Sequence, residues 1–407
     1  MEPPTPPLHR FRNNAAAIRI GNPAWDEARQ QGLIDLKVEL AGDDRLRDLD
    51  DHRFVNLCSC SYLGLHNHPA ILAGAIAALE RARTLDLPIS RVRICLTLLD
   101  ELETELSDLF GGRVISAVTA SAATAGVLPL LASGHLCPDN EPRVMVFDKF
   151  CHFSMHLIKP ICADETTVLT APHNDLDYLE DVCKKHPRVA YVADGAYSMG
   201  GGAPVRELLA LQDRYGLFLF FDDSHSISVC GERGEGFVRS QLPELNPLTI
   251  IVGSLCKGFG ASGGVILLGP ADREPLLARF GGPLAWSQGM NVPAIGAAMA
   301  SARLHRTPEL GSLQQALRDN IAQFDREIPT GQRGDGLPVR LVPVGEDSRA
   351  VECSRELFER GYYTSAVFFP IVERGQAGLR VMVRADNRPE DVLAFAGAVR
   401  EVVGMAA

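Results

Sequence analysis

Two short apolar runs, each followed at once by polar residues, constrain the fold of this chain more than any other feature. Residues 217–221 are too few for a buried helix, and they predict a strand buried inside a parallel sheet. This run leads into Asp222, with His225 three residues farther on. Residues 248–252 predict a second buried strand, followed by a loop of small residues around Lys257. Because open α/β sheets bind ligands at the carboxyl ends of their strands, we expect these polar side chains to form one site.

Apolar runs alternate with helical patterns over much of the chain. Besides the two runs above, the candidate strands between residues 54 and 303 are 144–147, 189–193 and 265–268. This alternation predicts an α/β fold in which the central sheet is mostly parallel and is connected by right-handed crossovers.

The pattern restarts near residue 308, which predicts a smaller α+β domain at the C-terminus. Its candidate elements are a helix at 348–360 and strands at 339–344, 362–369 and 379–383. Residues 10–51 predict a helix and a short strand. We therefore expect an N-terminal tail and arm (1–53), a large domain (54–303) and a small C-terminal domain (304–407).

Charge and cysteine content exclude some classes of function. The formal net charge is −11 and no basic cluster is present, which argues against nucleic acid as a partner. The ten cysteines contain no C-x-x-C pair and follow no secretory signal, so we expect reduced thiols in a cytoplasmic protein. Cys58 and Cys60 have no histidine near them in the sequence, so no metal site is predicted.

Two other segments bear on the location of the protein. The longest weakly apolar stretch covers about residues 114–136, and Pro129 interrupts it. Its Ala, Ser and Thr content falls short of a membrane span, and we predict a buried helix after a loop. Residues 1–7 are rich in proline and lack an apolar core, so we interpret them as a frayed tail and not as a signal peptide.

The two polar loops together indicate a specific chemistry. A lysine among small uncharged residues can form a Schiff base with a carbonyl cofactor, since glycine and serine let a bulky group approach the backbone. An acid such as Asp222 keeps a pyridine nitrogen protonated, which is the chemistry of pyridoxal 5′-phosphate (PLP). The alternatives are a solvated surface lysine and a structural aspartate at a strand end. Asp223 competes for the same role, although strand alternation sends it to the opposite face.

Four further motifs accompany the two loops, at residues 56–69, 99–106, 196–204 and 231–236. In this order the motifs resemble the α-oxoamine synthases, a family of fold-type-I PLP-dependent transferases. The family includes aminooxononanoate synthase, aminoketobutyrate ligase, serine palmitoyltransferase and the α-hydroxyketone autoinducer synthases. The resemblance extends from about Phe54 to about Asp391, so it covers most of the chain.

The resemblance implies a role for each residue of the cofactor site. Lys257 would hold PLP and, once freed, remove the Cα proton of the substrate, while Asp222 would face the ring nitrogen. His225 would contact the phenolic oxygen of the cofactor, and His152 would stack on its ring and donate a proton. The other implied cofactor ligands are Ser198 near the ring oxygen, and Ser254, Ala120 and Ser121 at the phosphate.

The resemblance also implies a substrate site, from which this chain departs in part. Arg380 would grip the carboxylate of the amino acid, because a guanidinium holds a carboxylate with two hydrogen bonds. Cys60 replaces an asparagine that makes a second carboxylate contact in the family, and Asn387 replaces a histidine. In the phosphate loop, Ala120 and Ser121 replace a glycine and an aromatic residue. These departures indicate a divergent member with an unusual amino or acyl substrate.

The reaction implied by the resemblance is the decarboxylative condensation of an amino acid with an acyl thioester, from coenzyme A or a carrier protein, to an α-aminoketone in a biosynthetic pathway. The implied enzyme is a homodimer with a shared active site, in which residues 285–290 reach the phosphate of the partner, although Gln288 replaces the usual threonine. One alternative is another PLP-dependent carbanion reaction, such as decarboxylation, aldol cleavage or transamination. The other is a non-catalytic partner subunit, a class that lacks the lysine retained here as Lys257.

Overall fold

A computed structural model describes residues 14–40, 45–369 and 371–405, and the predicted proline-rich tail lies outside them. The strands of the described chain are β1 (Val38–Leu40), β2 (Arg45–Asp48), β3 (Arg53–Asn56), β4 (Arg113–Ala117), β5 (Val144–Asp148), β6 (Val168–Ala171), β7 (Val189–Asp194), β8 (Phe218–Asp222), β9 (Thr249–Ser254), β10 (Gly264–Leu268), β11 (Val339–Gly345), β12 (Tyr362–Tyr363), β13 (Ser365–Val367) and β14 (Ala377–Met382). Its α-helices are α1 (Asn14–Gln30), α2 (Pro69–Ala82), α3 (Thr97–Phe110), α4 (Ala120–Ala132), α5 (Phe153–Glu165), α6 (Leu176–Lys185), α7 (Val205–Tyr215), α8 (Glu274–Phe280), α9 (Pro283–Trp286), α10 (Val292–Leu304), α11 (Pro308–Glu327), α12 (Asp347–Glu359) and α13 (Pro389–Val403).

The chain forms two compact units. The first unit contains Gly64–Ser198 and Gly202–Ser312, and the second contains Met199–Gly201 together with the described residues of 14–63 and 313–405. The three-part division at residues 53 and 303 stays a prediction about how the chain divides into domains.

The first unit is built on a seven-stranded sheet with the order β4-β10-β9-β8-β7-β5-β6. Only β10 runs antiparallel to its neighbours β4 and β9, while the other paired strands are parallel. Each of the five strands predicted for this region is present, within one or two residues. The predicted α/β fold with a mostly parallel sheet is therefore confirmed.

The buried helix predicted within residues 114–136 is α4, and the strand that precedes it was not predicted. Residues Arg113–Ala117 form the edge strand β4, which pairs with β10, and the helix α4 begins only at Ala120. Val114 and Ile115 are buried in the cores on opposite faces of the sheet, which favours an extended β-branched pair over a loop. Among the described residues, no helix is both long and apolar enough to cross a membrane.

Alternate residues of the central strands enter two different hydrophobic cores. In β8, Leu219 and Phe221 belong to the core under α3, α6 and α7, whereas Phe218 and Phe220 belong to the core under α4 and α5. Since side chains alternate along a strand, the residue after Phe221 returns to the α4 and α5 face. The side chain of Asp222, the last residue of β8, therefore lies on the face of the sheet that carries α4 and α5.

The second unit contains two small sheets, with the orders β1-β2-β3-β12 and β11-β14-β13. The strand predicted at 362–369 is two strands, because β12 pairs in parallel with β3 while β13 pairs with β14. The predicted helix at 348–360 corresponds to α12, which packs on the core that contains Phe54, Ala350 and Phe358.

Candidate active site

The predicted polar residues meet at the carboxyl end of the central sheet. Asp222 ends β8, and the neighbouring strands β7 and β9 end in Asp194 and Ser254. Asp194 lies directly opposite Asp222 in the parallel ladder. Strand alternation directs all three side chains to the face that carries α4 and α5. Neighbouring strands are about 4.8 Å apart, so these residues form one row.

Lys257 lies at this row and not on the open surface. Its side chain is half-buried, and its Nζ lies 3.0 Å from Nε2 of His225. His225 is itself buried, with 6% of its surface exposed. The charge of Lys257 also stabilises the carboxylate of Asp194. The alternative of a solvated surface lysine therefore does not describe this side chain.

Asp194 is a site residue that the sequence analysis missed. Only 2% of it is exposed, and burial, together with the negative charge of Asp222, raises the pKa of Asp194 well above its usual range. A second negative charge is costly in a buried site, so Asp194 favours its protonated form. A signal was available, since Asp194 follows the predicted strand 189–193 as Asp222 follows the strand 217–221.

His152 is held at the same edge by its backbone. Its N–H donates to Oδ1 of Asp194 at 2.9 Å, and its ring Nδ1 accepts from the N–H of Ser154, which makes His152 the N-cap of α5. The His152 residue is exposed in the single chain. An exposed ring on a backbone fixed by Asp194 suits contact with a ligand above the row of acids.

Asp223 points away from this row, as strand alternation predicts. Its Oδ2 accepts the N–H of Val238 at 2.9 Å, and its Oδ1 is buried without a hydrogen-bond partner among the described residues. Burial raises the pKa of Asp223 to about 6. Asp223 therefore fixes the loop after β8, and Asp222 is the acid that faces the site.

The start of α4 lies beside Ser254. Thr119 caps this helix by accepting the N–H of Ala122, while Ala120 and Ser121 are its first two residues. Gly264 of β10 pairs with both Ser254 and Ala117, and a Cβ at Gly264 would lie 2.5 Å from the amide nitrogen of Ala120. A glycine at that position thus lets the helix start close to the end of β9. The first N–H groups of a helix lack intrahelical acceptors and attract anions.

The remaining predicted residues are Ser198, Cys60 and Arg380. Ser198 follows β7 in the first unit and is half-buried. Cys60 and Arg380 belong to the second unit, where both act electrostatically on the buried Tyr62. The Nε of Arg380 is buried and has no hydrogen-bond partner among the described residues. This Nε–H group of Arg380 is therefore available to donate a hydrogen bond to a ligand.

Comparisons with known proteins identify the family. The family described as "Aminotransferase class I and II" matches residues 52–399. The chain belongs to this family. It is similar to an 8-amino-7-oxononanoate synthase from Geobacter sulfurreducens, with 29% identity over 375 residues that cover 90% of this chain and 93% of the relative.

Solved structures show the same fold. A serine palmitoyltransferase from S. paucimobilis with bound PLP and myriocin has a TM-score of 0.83 and 18% identity, covering 97% of this chain and 100% of that one. An 8-amino-7-oxononanoate synthase from Francisella tularensis has a TM-score of 0.72 and 18% identity, covering 86% and 98%. These findings confirm the predicted resemblance to α-oxoamine synthases and the fold-type-I architecture.

The chemistry of the site residues fits PLP. The cofactor has a phosphate dianion, a basic ring nitrogen and an aldehyde. At this edge of the sheet, a helix start and the hydroxyl of Ser254 suit the phosphate, and the carboxylate of Asp222 suits a protonated ring nitrogen. Lys257 supplies an amine for the aldehyde. Each part of the cofactor has a chemically matched partner in the first unit.

Proposed function

We propose that the protein is a PLP-dependent acyltransferase that condenses an amino acid with an acyl thioester to an α-aminoketone, with loss of carbon dioxide, in a biosynthetic pathway. The cofactor is pyridoxal 5′-phosphate, as predicted from the sequence. The relatives named 8-amino-7-oxononanoate synthase match about nine-tenths of the chain and support this class of reaction. The observation that carries the proposal is the 3.0 Å approach of Lys257 Nζ to His225 Nε2 beside the buried acids Asp194 and Asp222.

In this proposal the first unit holds the cofactor. Asp222 binds the ring nitrogen, and His225 and Ser198 bind near the ring oxygen. Ser254 and the N–H groups of Ala120 and Ser121 bind the phosphate. When bound in this way, PLP supplies an electron sink that lets an amino acid lose the proton on its Cα.

The residues of the chain would then move protons and fix the substrate. The amine of Lys257 removes the Cα proton, and the imidazole of His225 lies close enough to exchange a proton with that amine. His152 donates a proton to the product side, with its backbone held by Asp194.

Arg380 would bind the carboxylate of the amino acid. The buried and unpartnered Nε of Arg380 supports this role, because a carboxylate would satisfy that donor. Cys60 would line the same subsite, because Cys60 and Arg380 both interact electrostatically with Tyr62. A thiol donates weaker hydrogen bonds than an amide, so the subsite would rely mainly on Arg380.

The proposal includes a homodimer and a cytoplasmic location. Large apolar side chains are exposed in the single chain near residues 285–290, with Trp286 exposed at 74% and Phe280 at 64%. Apolar surface of this kind is typical of an interface between subunits. None of the ten cysteines forms a disulfide, which is in keeping with a reducing compartment.

The first experiment tests the cofactor site. Purified protein is expected to bind PLP with an absorption band in the visible range, and Lys257→Ala should lose that band. Lys184→Ala is the matched control, because Lys184 lies exposed in α6 and pairs with Glu180 and Asp181 of the same helix. Wild-type protein without such a band, or a Lys257→Ala variant that keeps it, would overturn the proposal.

The second experiment tests the reaction. Condensation breaks the thioester and forms a carbon–carbon bond, so free thiol should appear only when both an amino acid and an acyl thioester are present. Mass spectrometry of a panel of amino acids and acyl thioesters should then detect an aminoketone. Formation of an oxo acid or an aldehyde from the amino acid alone would favour the alternative carbanion reactions instead.

A further inference from the structure

His305 is a buried imidazole outside the row of residues described above. It follows α10 and is 2% exposed. Its Nδ1 lies 2.8 Å from the backbone carbonyl of Ser301, and its Nε2 lies 2.8 Å from Oγ of Ser228. The ring of Phe259 packs on the imidazole, with ring centroids 4.5 Å apart. The imidazole therefore contacts three different segments of the first unit.

The partners of His305 determine its tautomer. A carbonyl oxygen only accepts, so Nδ1 carries the proton and donates it to Ser301. Nε2 is then an acceptor, and the hydroxyl of Ser228 donates to it. Burial lowers the pKa of His305 to about 4, so the neutral imidazole is the form present at neutral pH. The direction of both hydrogen bonds is thereby fixed.

The two hydrogen-bond partners of His305 are linked to the loops of the candidate site. Ser228 belongs to one loop, and Ser301 binds the other. Ser228 lies in the loop after β8, three residues beyond His225. Its backbone has φ of +72°, a left-handed conformation that is rare for serine and needs support from its surroundings. Ser301 donates its hydroxyl to the backbone carbonyl of Phe259, two residues beyond Lys257, at 2.6 Å. His305 thus connects to both loops.

The same two loops are packed directly on each other. A Cβ at Gly258 would lie 2.6 Å from the carbonyl oxygen of Ile227, so only a glycine next to Lys257 allows this approach. The backbones of the two loops are therefore in direct contact at Gly258 and Ile227.

We propose that His305 is a positioning residue that sets the distance between Lys257 and His225 by joining the two loops through Ser228 and Ser301. This inference rests on the proposed function, in which Lys257 binds PLP and His225 contacts it. His305 does not touch the reacting atoms; it holds the loop backbones that present them. Loosening the connection should weaken cofactor binding, because the amine and the imidazole would no longer be preorganised.

Three variants test this role. His305→Asn keeps a donor for the carbonyl of Ser301 but is too short to reach Ser228, and Ser228→Ala removes the hydroxyl that donates to Nε2. His305→Gln restores an acceptor near Ser228 and serves as the conservative rescue. The matched control is Ser354→Ala in the second unit, where an equally buried hydroxyl donates to the carbonyl of Thr364 at 2.9 Å. This control measures the effect of losing a buried hydroxyl–carbonyl hydrogen bond far from the candidate site in the sequence.

The measurements are the dissociation constant for PLP, the rate at which the visible band forms after PLP is added, and the thermal midpoint of each variant without PLP. His305→Asn and Ser228→Ala should raise the dissociation constant about tenfold and slow band formation. His305→Gln should recover most of the affinity, and Ser354→Ala should change only the thermal midpoint.

A lowered thermal midpoint with unchanged PLP affinity in both His305→Asn and Ser228→Ala would overturn the inference and leave His305 a purely structural residue. If His305→Asn does not fold, Ser228→Ala and Ser301→Ala decide the question by the same measurements. The proposed function fails separately, when the wild-type protein itself shows no band that depends on Lys257.

Discussion

At the scale of single residues, the neighbouring acids Asp194 and Asp222 have different roles in the site. Asp222 faces the position expected for the ring nitrogen, whereas Asp194 holds the backbone N–H of His152. Both acids end adjacent parallel strands, so neither can move without moving its strand. A substitution of Asp194 should therefore affect activity through the hydrogen bond that Asp194 accepts from His152.

Asp194→Ala should lower the rate of aminoketone formation about 100-fold, because it frees the turn that carries His152. Asp194→Asn keeps an acceptor for the same N–H and should lose less than tenfold. Steady-state rates with saturating amino acid and thioester would measure both. Equal losses in the two variants would contradict this prediction and assign the effect to the charge.

Asp223 predicts a dependence of stability on pH. The pKa of Asp223 is raised by burial to about 6, so the folded state favours the protonated acid. The stabilising contribution of Asp223 to the free energy of unfolding is fully present below about pH 4, and it is lost as pH rises through about 6. Relative to wild type, Asp223→Asn should gain free energy of unfolding over this range, by up to about 3 kcal/mol.

Urea unfolding at several pH values would measure this difference, because other titrating groups contribute equally to both proteins. Asparagine keeps an acceptor for Val238, so the loop after β8 stays supported. A difference that is flat between pH 4 and 6 would show that the pKa of Asp223 is not raised in the folded protein.

At the scale of elements, the site is made by the close approach of α4 to β9 across the start of β10. Gly264 makes this approach possible, since a Cβ there would lie 2.4 Å from the carbonyl carbon of Thr119. The N-terminus of α4 is the expected phosphate site, so the geometry of this contact should affect affinity for PLP.

Gly264→Ala should raise the dissociation constant for PLP at least tenfold and destabilise the fold by about 1–3 kcal/mol through overpacking. Gly311→Ala is the matched control, because Gly311 lies exposed in α11 with no atom within 4 Å of its added Cβ. It should leave affinity unchanged and stabilise the helix by up to about 1 kcal/mol. Titration with PLP and thermal unfolding would measure both, and unchanged affinity in Gly264→Ala would argue against the phosphate site.

The strands of the central sheet that the sequence predicted correctly each have one continuous apolar run. The runs at 217–221 and 248–252 are buried on both faces, so no other structure suits them. β4 was missed because its two β-branched aliphatic residues, Val114 and Ile115, stand beside an Ala-rich stretch that has the composition of a helix. The strand at 362–369 was not divided, because only its pairing partners, β3 and β14, separate β12 from β13.

At the scale of the whole molecule, exposed apolar surface predicts self-association. Trp286 is 74% exposed in a segment that resembles the part of the family reaching the partner subunit. Trp286→Glu should shift a dimer towards monomer and lower activity in parallel, because a charge would be buried at the interface.

Analytical ultracentrifugation over a range of protein concentrations would measure the shift. Leu49→Glu is the matched control, since Leu49 is equally exposed, at 77%, in the second unit. A wild-type protein that stays monomeric, or a Trp286→Glu variant that stays dimeric, would argue against an interface at this segment.

The sequence by itself determined the family and the mostly parallel sheet, and it named most of the residues proposed to bind the cofactor. These depend on local order: an apolar run, then an acid, a histidine or a lysine. Asp222, His225 and Lys257 could be named in this way since each follows its own strand or loop. The tertiary structure decided which residues become neighbours of these three. Asp194 meets Asp222 only because β7 pairs with β8, and His305 meets Ser228 only because α10 packs beside both loops. Such contacts join residues far apart in the chain, and no local pattern of residues specifies them.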